Sequence, residues 1–472
     1  MNFPVPAELK MILSETPEMS RAYFVGGCVR DAVLGHEPKD FDLEVFGETY
    51  EKLARALSRW GRTDLVGRSF GVVKLTARSG RVYDFTLPRR DSKVAAGHKG
   101  FEMTFPADIE LPEAAARRDF TINALMFDPR TGELLDFYGG RDDLAAGILR
   151  HTSSAFAEDP LRVLRGMQFA GRFNLRGAPE TLTLSRGIRE SFHELAAERV
   201  REEWFKWAEK SLVPSAGLRF LDQSGWLAKF PELAALPETP QDPEWHPEGN
   251  VFEHTLHSCD ALASQTTWAA TDGESKIVQM LAVLLHDVGK PACTAEVERG
   301  GRNRIVSPGH DEAGVPIAER FLERINAPLS IRERVLPLVA CHMAHVQEAT
   351  DRAVRRLAKR LEPENVESLC RVMTADTSGR PPMPAREPEV VKMLRAKATE
   401  LNLRDRAPKP LLLGRHLLEA GLTPGRHLGR IIDAAFEAQL EGRFMDLEGA
   451  KRWLAEEGDP ALTDEIRSAL RR

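Results

Sequence analysis

The sequence predicts an α+β protein in which a small head with a mixed sheet, residues 1–135, precedes mostly helical regions. Strand-like apolar runs cluster in the head, at residues 21–24, 41–45, 70–75 and 82–85. The head also contains a helical stretch over residues 49–60, whereas the chain beyond residue 136 is mainly helical in its periodicity. The 472 residues are enough for about three domains.

Composition excludes several classes of protein. With 42% hydrophobic and 29% charged residues, the chain has the composition of a globular protein, and no apolar run approaches the ~20 residues of a membrane span. The N-terminus lacks the pattern of a signal peptide, and the five scattered cysteines favour a reducing cytoplasm over a disulfide framework. The net charge of −6 restricts nucleic-acid binding to a local basic patch.

A paired-glycine turn forms the first candidate site. Gly26 and Gly27 follow an apolar strand and precede a short helix, so their backbone N–H groups could approach an anion at the helix N-terminus. Arg30, in the first helical turn, could clamp a phosphate bidentately. This stretch therefore predicts a phosphate-binding cradle, although a paired-glycine turn alone is most often only a turn.

Carboxylates follow this cradle. Asp40 and Asp42 flank Phe41 and share one face of the predicted strand, where their mutual repulsion favours a bound Mg²⁺. Asp84, on a neighbouring strand, is the candidate third carboxylate, with a solvent-facing strand residue as the alternative.

The order of these features resembles a known signature. Residues 26–31, 34–35 and 39–42 are similar to the motif of the polymerase-β-like nucleotidyltransferases. More specifically, they resemble the class II tRNA nucleotidyltransferase and bacterial poly(A) polymerase family. The resemblance implies a polymerase-β-like head that uses Mg²⁺, with CTP and ATP as substrates and the tRNA 3′ end as partner.

Two further head segments match this family. In residues 117–125 the resemblance gives nucleotide contact to Arg118 first and Arg117 second, and a ribose or positioning contact to Asp119. A solvated helix N-terminus is the alternative. Residues 88–105 are polar and contain glycine, which predicts a mobile loop. In the family such a loop helps to change nucleotide specificity, whereas the alternative is an ordinary surface loop.

The predicted helical neck, residues 136–236, contains the family's hinge motif with Gly140 and Asp143 as key positions. A plain turn would explain the same residues. Further on, Asp159 and Arg162 lie three residues apart on one helix face. A carboxylate and a guanidinium so placed can read the Watson–Crick edge of cytosine or adenine, and the match to the family's base-recognition motif favours this over a salt bridge.

The same helix carries Arg165, a predicted phosphate contact. Gln168 stands where the family usually has a second nucleotide-binding arginine, which predicts altered triphosphate affinity or an altered choice between CTP and ATP. Residues 198–203 match the end of the family's core loosely, and we interpret them as a charged helix face.

The third predicted region, residues 237–385, begins with a Pro-rich segment, residues 237–250, that we interpret as a linker. Six imidazole and carboxylate residues follow, and their local sequences resemble the HD phosphohydrolase superfamily: His254, His286, Asp287, His310, His342 and Asp376. These donors suit Ni, Mn or Fe, or Mg, with His310 and His342 permitting a two-metal site. Lys290 is either a phosphate contact or a solvated lysine.

A second predicted linker, residues 380–384, leads to a helical tail, residues 386–472. Residues 391–430 contain nine Lys and Arg against three Asp and Glu. This surplus makes the tail the best candidate for a tRNA-backbone contact, with a charged solvated helix pair as the alternative.

The resemblance covers nearly the whole chain and implies a CCA-adding tRNA nucleotidyltransferase with an additional HD phosphohydrolase activity. The nearest alternatives are a CC-adding enzyme, an A-adding enzyme or a poly(A) polymerase, because these share the motifs. An HD phosphohydrolase whose head only binds tRNA, and a non-catalytic RNA-binding module, are more distant alternatives. Nothing in the sequence specifies an oligomeric state.

Overall fold

The structure, a computed structural model, describes residues 3–64, 71–93, 101–106, 108–344 and 350–457. The chain divides into two compact units, residues 1–234 and 235–472. The segments predicted as head and neck therefore lie together in unit 1, and those predicted as HD region and tail lie together in unit 2.

Unit 1 contains eleven described strands: β1 Ala22–Val25, β2 Asp42–Val45, β3 Gly61–Asp64, β4 Val72–Ala77, β5 Val82–Thr86, β6 Arg90–Lys93, β7 Phe101–Thr104, β8 Met126–Phe127, β9 Leu134–Leu135, β10 Ile148–Leu149 and β11 Arg176–Gly177. Seven of them form one mixed sheet in the order β3-β4-β5-β2-β1-β8-β9. Strands β2 and β5 pair in parallel and place Asp42 opposite Asp84. The α+β prediction, with a mixed-sheet head, is confirmed.

The helices of unit 1 are α1 Ala7–Glu15, α2 Gly27–Val33, α3 Tyr50–Leu57, α4 Leu111–Ala116, α5 Gly140–Ala146, α6 Leu161–Phe173, α7 Pro179–Gly187, α8 Ala197–Lys210, α9 Pro214–Gln223 and α10 Pro231–Ala234. Shorter 3₁₀ turns occur at Pro17–Met19, Thr121–Asn123, Ser154–Glu158, Arg189–Glu194 and Trp226–Lys229. Helix α6 packs against α8 and α9, and Trp204, Trp207 and Phe230 are fully buried in this helical part.

Two predictions about the head differ from the structure. Asp40 precedes β2 instead of lying within it, so only Asp42 of the pair is a strand residue. Part of the predicted mobile loop, residues 88–105, is regular, because β6 and β7 pair as antiparallel strands. Its central residues, 94–100, lie outside the described residues.

Unit 2 is mainly helical. Its helices are α11 Val251–Ala263, α12 Thr266–Ala269, α13 Gly273–Leu285, α14 Lys290–Cys293, α15 His310–Arg324, α16 Leu329–Cys341, α17 Asp351–Arg360, α18 Val366–Ser378, α19 Glu389–Glu400, α20 Gly414–Glu419, α21 Arg426–Leu440 and α22 Leu447–Glu457. An antiparallel hairpin of β12 Ala295–Arg299 and β13 Arg302–Val306 interrupts them. No described helix is both long and apolar enough to cross a membrane.

Side-chain caps fix where several of these helices begin. The Asn250 side chain accepts a hydrogen bond from the backbone N–H of Glu253, and Asp272 caps α13 in the same way. An N-cap oxygen satisfies one of the backbone donors that a helix start leaves unpaired. These caps fix the residues at which α11 and α13 begin. They therefore also fix the positions of His254, in α11, and of His286, which directly follows α13.

Candidate functional sites

A cavity of about 540 Å³ opens in unit 1 beside the paired-glycine turn. Nine cationic side chains and three carboxylates line it: Arg30, Arg117, Arg118, Arg162, Arg165, Arg172, Arg199, Lys206 and Lys210, with Asp42, Asp119 and Asp159. Such an excess of positive charge suits a polyanionic ligand like a nucleoside triphosphate.

Gly26 sits at the turn into α2 with φ +69° and ψ −129°, a backbone conformation that side-chain-bearing residues rarely adopt. A Cβ atom at this position would lie 3.0 Å from Nη1 of Arg118. The turn therefore requires glycine, and its backbone runs directly beside an arginine of the cavity.

Arg30 is buried and fully engaged. Its Nη1 donates to Oδ1 of Asn123 at 2.6 Å, and its Nε and Nη2 donate to Oδ1 of Asp31 at 3.0 and 2.7 Å. Its guanidinium also lies over the Phe173 ring at 4.4 Å. Although Arg30 borders the cavity, these contacts hold its donors inward, unlike the free bidentate clamp that the sequence predicts. Asn123 was not singled out by the sequence.

The carboxylates of the head repel one another. Burial, followed by the charge of Asp84 across the parallel strand pair, raises the pKa of Asp42, and Asp40 adds to this. A bound cation would relieve this repulsion, so the donors fit Mg²⁺, which is held in proteins by one or two carboxylates plus substrate phosphates. Among the described residues, three-ligand clusters within 4.8 Å occur in unit 2 and do not include these aspartates.

Glu44, which the sequence analysis missed, holds two of the predicted nucleotide-binding arginines. It is fully buried, and its two carboxylate oxygens accept hydrogen bonds from Arg117 at 2.7 Å and Arg118 at 3.2 Å. Burial raises the pKa of Glu44, but the two guanidiniums outweigh it and lower the pKa overall. Both arginines are thus fixed at the cavity wall. Glu44 lies two residues after Asp42 and so on the same face of β2. Strand alternation could therefore have indicated its place beside Asp42.

Asp119 holds a third arginine. Its Oδ2 accepts from Nε and Nη2 of Arg165, both at 2.7 Å, and its Oδ1 accepts from Asn123 at 2.9 Å. Burial raises the pKa of Asp119, but Arg165 and the hydrogen bonds lower it overall. Of the two predicted roles, ribose contact or positioning, the structure displays a positioning contact.

Asp159 and Arg162 face different partners. Oδ2 of Asp159 accepts from Nη2 of Arg199 at 3.0 Å, whereas Arg162 donates to the carbonyls of Ala155 at 2.7 Å and Arg117 at 2.8 Å. Arg199 therefore belongs to the cavity wall, a role that the interpretation of residues 198–203 as a charged helix face did not include. The contact spans 40 residues of sequence, so local pattern could not reveal it.

Gln168 is buried and lines the cavity without contributing charge. One helical turn further along α6, Arg172 lines the same cavity, with its Nη2 3.9 Å from Oδ2 of Asp31. Positive charge is therefore present on this helix face beyond Gln168.

The predicted hinge residues, Gly140 and Asp143, connect the head and neck segments of unit 1. A Cβ on Gly140 would lie 2.2 Å from the carbonyl oxygen of Thr121. Asp143 accepts a hydrogen bond from the Thr121 hydroxyl at 2.7 Å and pairs with Arg150 at 3.1 Å. Helix α5 is thus packed tightly against the segment that carries the predicted nucleotide contacts of residues 117–125.

In unit 2 the six predicted HD residues converge. The Nε2 atoms of His254 and His286 lie 3.3 Å apart, and those of His310 and His342 lie 3.2 Å apart. Asp287 stands between the pairs, with Oδ2 3.3 Å from His286 and Oδ1 3.2 Å from His310. Asp376 completes the group, with its Oδ1 3.1 Å from Nε2 of His254.

The outward nitrogen of each ring fixes its tautomer. Nδ1 of His286, His310 and His342 faces the backbone carbonyls of Val283, Ser307 and Val339 at 2.6–2.8 Å. Because a carbonyl only accepts, each Nδ1 carries a proton and each Nε2 faces the centre of the group. Two Nε2 atoms about 3.2 Å apart suit a shared cation, either a proton or a metal ion. The donor set therefore fits a divalent metal.

The segment interpreted as a linker, residues 237–250, instead forms part of the HD site. Oε1 of Glu248 lies 2.7 Å from Nδ1 of His254 and 2.8 Å from Nδ1 of His246. Asp242 is buried and accepts hydrogen bonds from Arg304 and from the backbone of Ile305. The proline-rich composition signalled irregular backbone but not its packing.

Two known protein families match segments of this chain. Residues 22–150 match the poly A polymerase head domain, and residues 251–378 match the HD domain. The multifunctional CCA protein of Halorhodospira halophila is 36% identical over 371 residues, covering 76% of this chain and 83% of that protein. That of Laribacter hongkongensis is 34% identical, covering 76% and 85%. The chain belongs to the multifunctional CCA protein family.

Solved structures of CCA-adding enzymes share the fold of this family member. The Bacillus stearothermophilus CCA-adding enzyme in complex with CTP has a TM-score of 0.60 at 19% identity, covering 93% of this chain and 94% of that one. The Thermotoga maritima enzyme complexed with tRNA has a TM-score of 0.57 at 18% identity, covering 99% and 96%. The predicted family resemblance is confirmed.

Proposed function

We propose that this chain adds CMP, CMP and AMP in turn to the 3′ end of tRNA. The observation that carries this proposal is Asp42, opposite Asp84, on the wall of a cavity with nine cationic side chains. In each step the terminal 3′-oxygen bonds to the α-phosphorus of CTP or ATP, the bond to the β-phosphate oxygen breaks, and pyrophosphate leaves. The 3′-hydroxyl proton passes to solvent.

Asp40, Asp42 and Asp84 would hold Mg²⁺, which supplies charge stabilisation at the reacting phosphate. Arg117, Arg118 and Arg165 bind the triphosphate, because Glu44 and Asp119 fix their guanidiniums at the cavity wall. Preorganised donors stabilise developing phosphate charge without reorganising during the reaction.

Asp159 and Arg162 read the base. The carboxylate accepts from the exocyclic amine of cytosine or adenine, and the guanidinium donates to the neighbouring ring nitrogen. Arg199 orients the carboxylate, and the Ala155 and Arg117 carbonyls orient the guanidinium. Because uracil and guanine place opposite hydrogen-bonding groups at these edges, the pair rejects both.

The HD site hydrolyses phosphoesters at RNA ends. The six converging residues would hold a divalent metal, one of Ni, Mn, Fe and Mg, which would supply an activated water when bound. Water oxygen bonds to phosphorus, one ester P–O bond breaks, and the departing ribose oxygen takes the proton that the water loses. Lys290, 2.7 Å from Oδ2 of Asp287, and Arg380, 2.7 Å from Oδ1 of Asp376, balance the two carboxylates.

The tail supports tRNA binding. Of its cations, Lys392, Arg395, Lys397 and Arg404 pair with neighbouring acidic residues, whereas Arg406 and Lys409 border a cavity of about 400 Å³. We assign the backbone contact to this second group. The five free cysteines are compatible with a cytoplasmic location.

Two double variants test the assignment of the activities to the two sites. With Asp40→Ala and Asp42→Ala, incorporation of nucleotides into tRNA should be lost, since the carboxylate pair is gone. With His286→Ala and Asp287→Ala, incorporation should remain while phosphoester hydrolysis is lost. Loss of incorporation in the second variant, with its fold intact by circular dichroism, would refute the division of labour.

A further inference from the structure

Trp245 is exposed on the wall of the HD cavity. Its side chain is 60% exposed, whereas Trp204, Trp207, Trp226 and Trp268 are at most 4% exposed. The cavity, of about 400 Å³, is also lined by Asp287, His310 and Asp376 of the metal-ligand set. An indole left exposed beside a phosphoester site presents a stacking surface for a planar ligand.

The cationic side chains that line this cavity differ in whether they form ion pairs. Lys290 and Arg380 pair with the two aspartates of the ligand set. Arg299 lines the cavity, and its guanidinium makes no ion pair with any residue in the described ranges. A substrate with an anionic group beyond the reacting phosphate would find its partner in Arg299.

Asp242 anchors the part of the cavity wall that carries Trp245 and Arg299. The backbone N–H of Trp245 donates to the carbonyl of Asp242 at 3.1 Å. The Asp242 carboxylate accepts from Nη1 of Arg304 at 3.3 Å and from the backbone of Ile305 at 3.4 Å, on the hairpin whose other strand ends at Arg299. Asp242 therefore links both parts of this wall: its backbone carbonyl accepts from Trp245, and its carboxylate anchors the hairpin that carries Arg299.

We infer that Trp245 stacks on the terminal base of the RNA end that this cavity would hold, and that Arg299 binds the preceding phosphate. The inference rests on the proposed phosphoesterase function and assigns two substrate-binding residues to it. Base–aromatic stacking accepts any base, so recognition would depend on the presence of a base and not on its identity.

The first test uses the Mn²⁺-loaded full-length protein with two substrates, adenosine 2′,3′-cyclic phosphate and its base-free analogue 1-O-methylribose 2′,3′-cyclic phosphate. Trp245→Ala should raise KM for the adenosine compound about tenfold and leave kcat within about twofold, while the base-free substrate is unaffected. Trp245→Phe should restore the KM. Equal effects on both substrates, or none, would overturn the stacking role.

The second test addresses Arg299. Arg299→Gln should raise KM for a diadenylate 2′,3′-cyclic phosphate about three- to tenfold and leave KM for the mononucleotide unchanged. Arg302→Gln is the matched control, because Arg302 lies opposite Arg299 on the same hairpin but does not line the cavity. An unchanged KM for the diadenylate in the Arg299 variant, or an equal rise for both substrates, would exclude the phosphate contact.

A binding measurement separates this inference from the hydrolytic function itself. Adenosine 2′-monophosphate should quench the fluorescence of Mn²⁺-loaded wild-type protein, and Trp245→Phe should abolish that quenching. If wild-type protein hydrolyses neither substrate, the hydrolytic function fails, and quenching still decides whether Trp245 contacts a base. Quenching that persists unchanged in Trp245→Phe would refute the contact.

Discussion

Glu248 and His254 form a carboxylate–imidazole pair at 2.7 Å, with the acceptor on the ring nitrogen that points away from the metal-ligand set. The opposite nitrogen, Nε2, faces Asp376. In metal sites such a partner orients the ring and raises its basicity. Glu248 therefore positions the His254 ring.

The contact between Glu248 and His254 predicts that Glu248 contributes to the metal affinity of the HD site. Glu248→Gln should weaken Mn²⁺ binding about tenfold, and Glu248→Ala up to about 100-fold, because both remove the charge that polarises the imidazole. Isothermal titration of the metal-free protein measures the effect. Glu296→Gln, an exposed carboxylate on the hairpin, should bind as wild type. Unchanged affinity in both Glu248 variants would contradict the positioning role.

The contact between Arg199 and Asp159 predicts nucleotide fidelity. Arg199→Gln should lower selectivity for CTP and ATP over UTP and GTP about tenfold, because the Asp159 carboxylate loses the partner that fixes its orientation. Ratios of kcat/KM for the four nucleotides on tRNA lacking CCA give the selectivity. Arg176→Gln, an exposed arginine of the same unit, is the control. Wild-type ratios in Arg199→Gln would rule out this role.

Asp42 predicts a conflict between stability and activity. Its folded pKa lies above the unfolded value, so its charged form destabilises the fold at neutral pH, and this cost disappears as pH falls through the folded pKa. Asp42→Asn should therefore raise the Tm near pH 8, by about 2–4 °C for each ~1 kcal/mol, while abolishing nucleotidyl transfer.

Thermal melts over a pH series check this claim. The advantage of Asp42→Asn should shrink as the pH is lowered, and Mg²⁺ should stabilise wild type more than the variant. A Tm below that of wild type at pH 8 would show that the negative charge of Asp42 is not a cost in the metal-free fold.

Gly140 predicts a packing limit at the hinge. Gly140→Ala should destabilise unit 1 by about 1–3 kcal/mol, because the added Cβ would lie 2.2 Å from the Thr121 carbonyl. Gly187→Ala, where a Cβ meets nothing within 4 Å, should be neutral or slightly stabilising. Urea unfolding of both variants gives the comparison. Equal stabilities would mean that α5 moves aside without cost.

The sequence predicted the residues that act through short-range pattern. Asp42 and the His286–Asp287 pair stand where strand alternation and a buried helix end place them. It missed residues whose partners are distant in sequence, such as Asn123, which is 93 residues from Arg30, and Arg199. No local periodicity encodes such contacts, since they arise only when the sheet and helices pack.

The interpretation of residues 237–250 as a linker was wrong for the same physical reason. Prolines at 237, 240, 243 and 247 exclude regular structure, which the sequence reveals. Burial of Asp242 and Glu248 depends on partners contributed later in the chain, Arg304 and His254. Irregular backbone was predictable, but its participation in the HD site was not.

The most direct test of CCA addition uses tRNA transcripts ending before CCA, incubated with Mg²⁺ and with CTP, ATP or both. The protein should stop at CC with CTP alone and proceed to CCA with both nucleotides. Extension by ATP only on tRNA already ending in CC would indicate an A-adding enzyme, and long adenylate tails would indicate a poly(A) polymerase. Either result would contradict the proposed sequence of CMP, CMP and AMP.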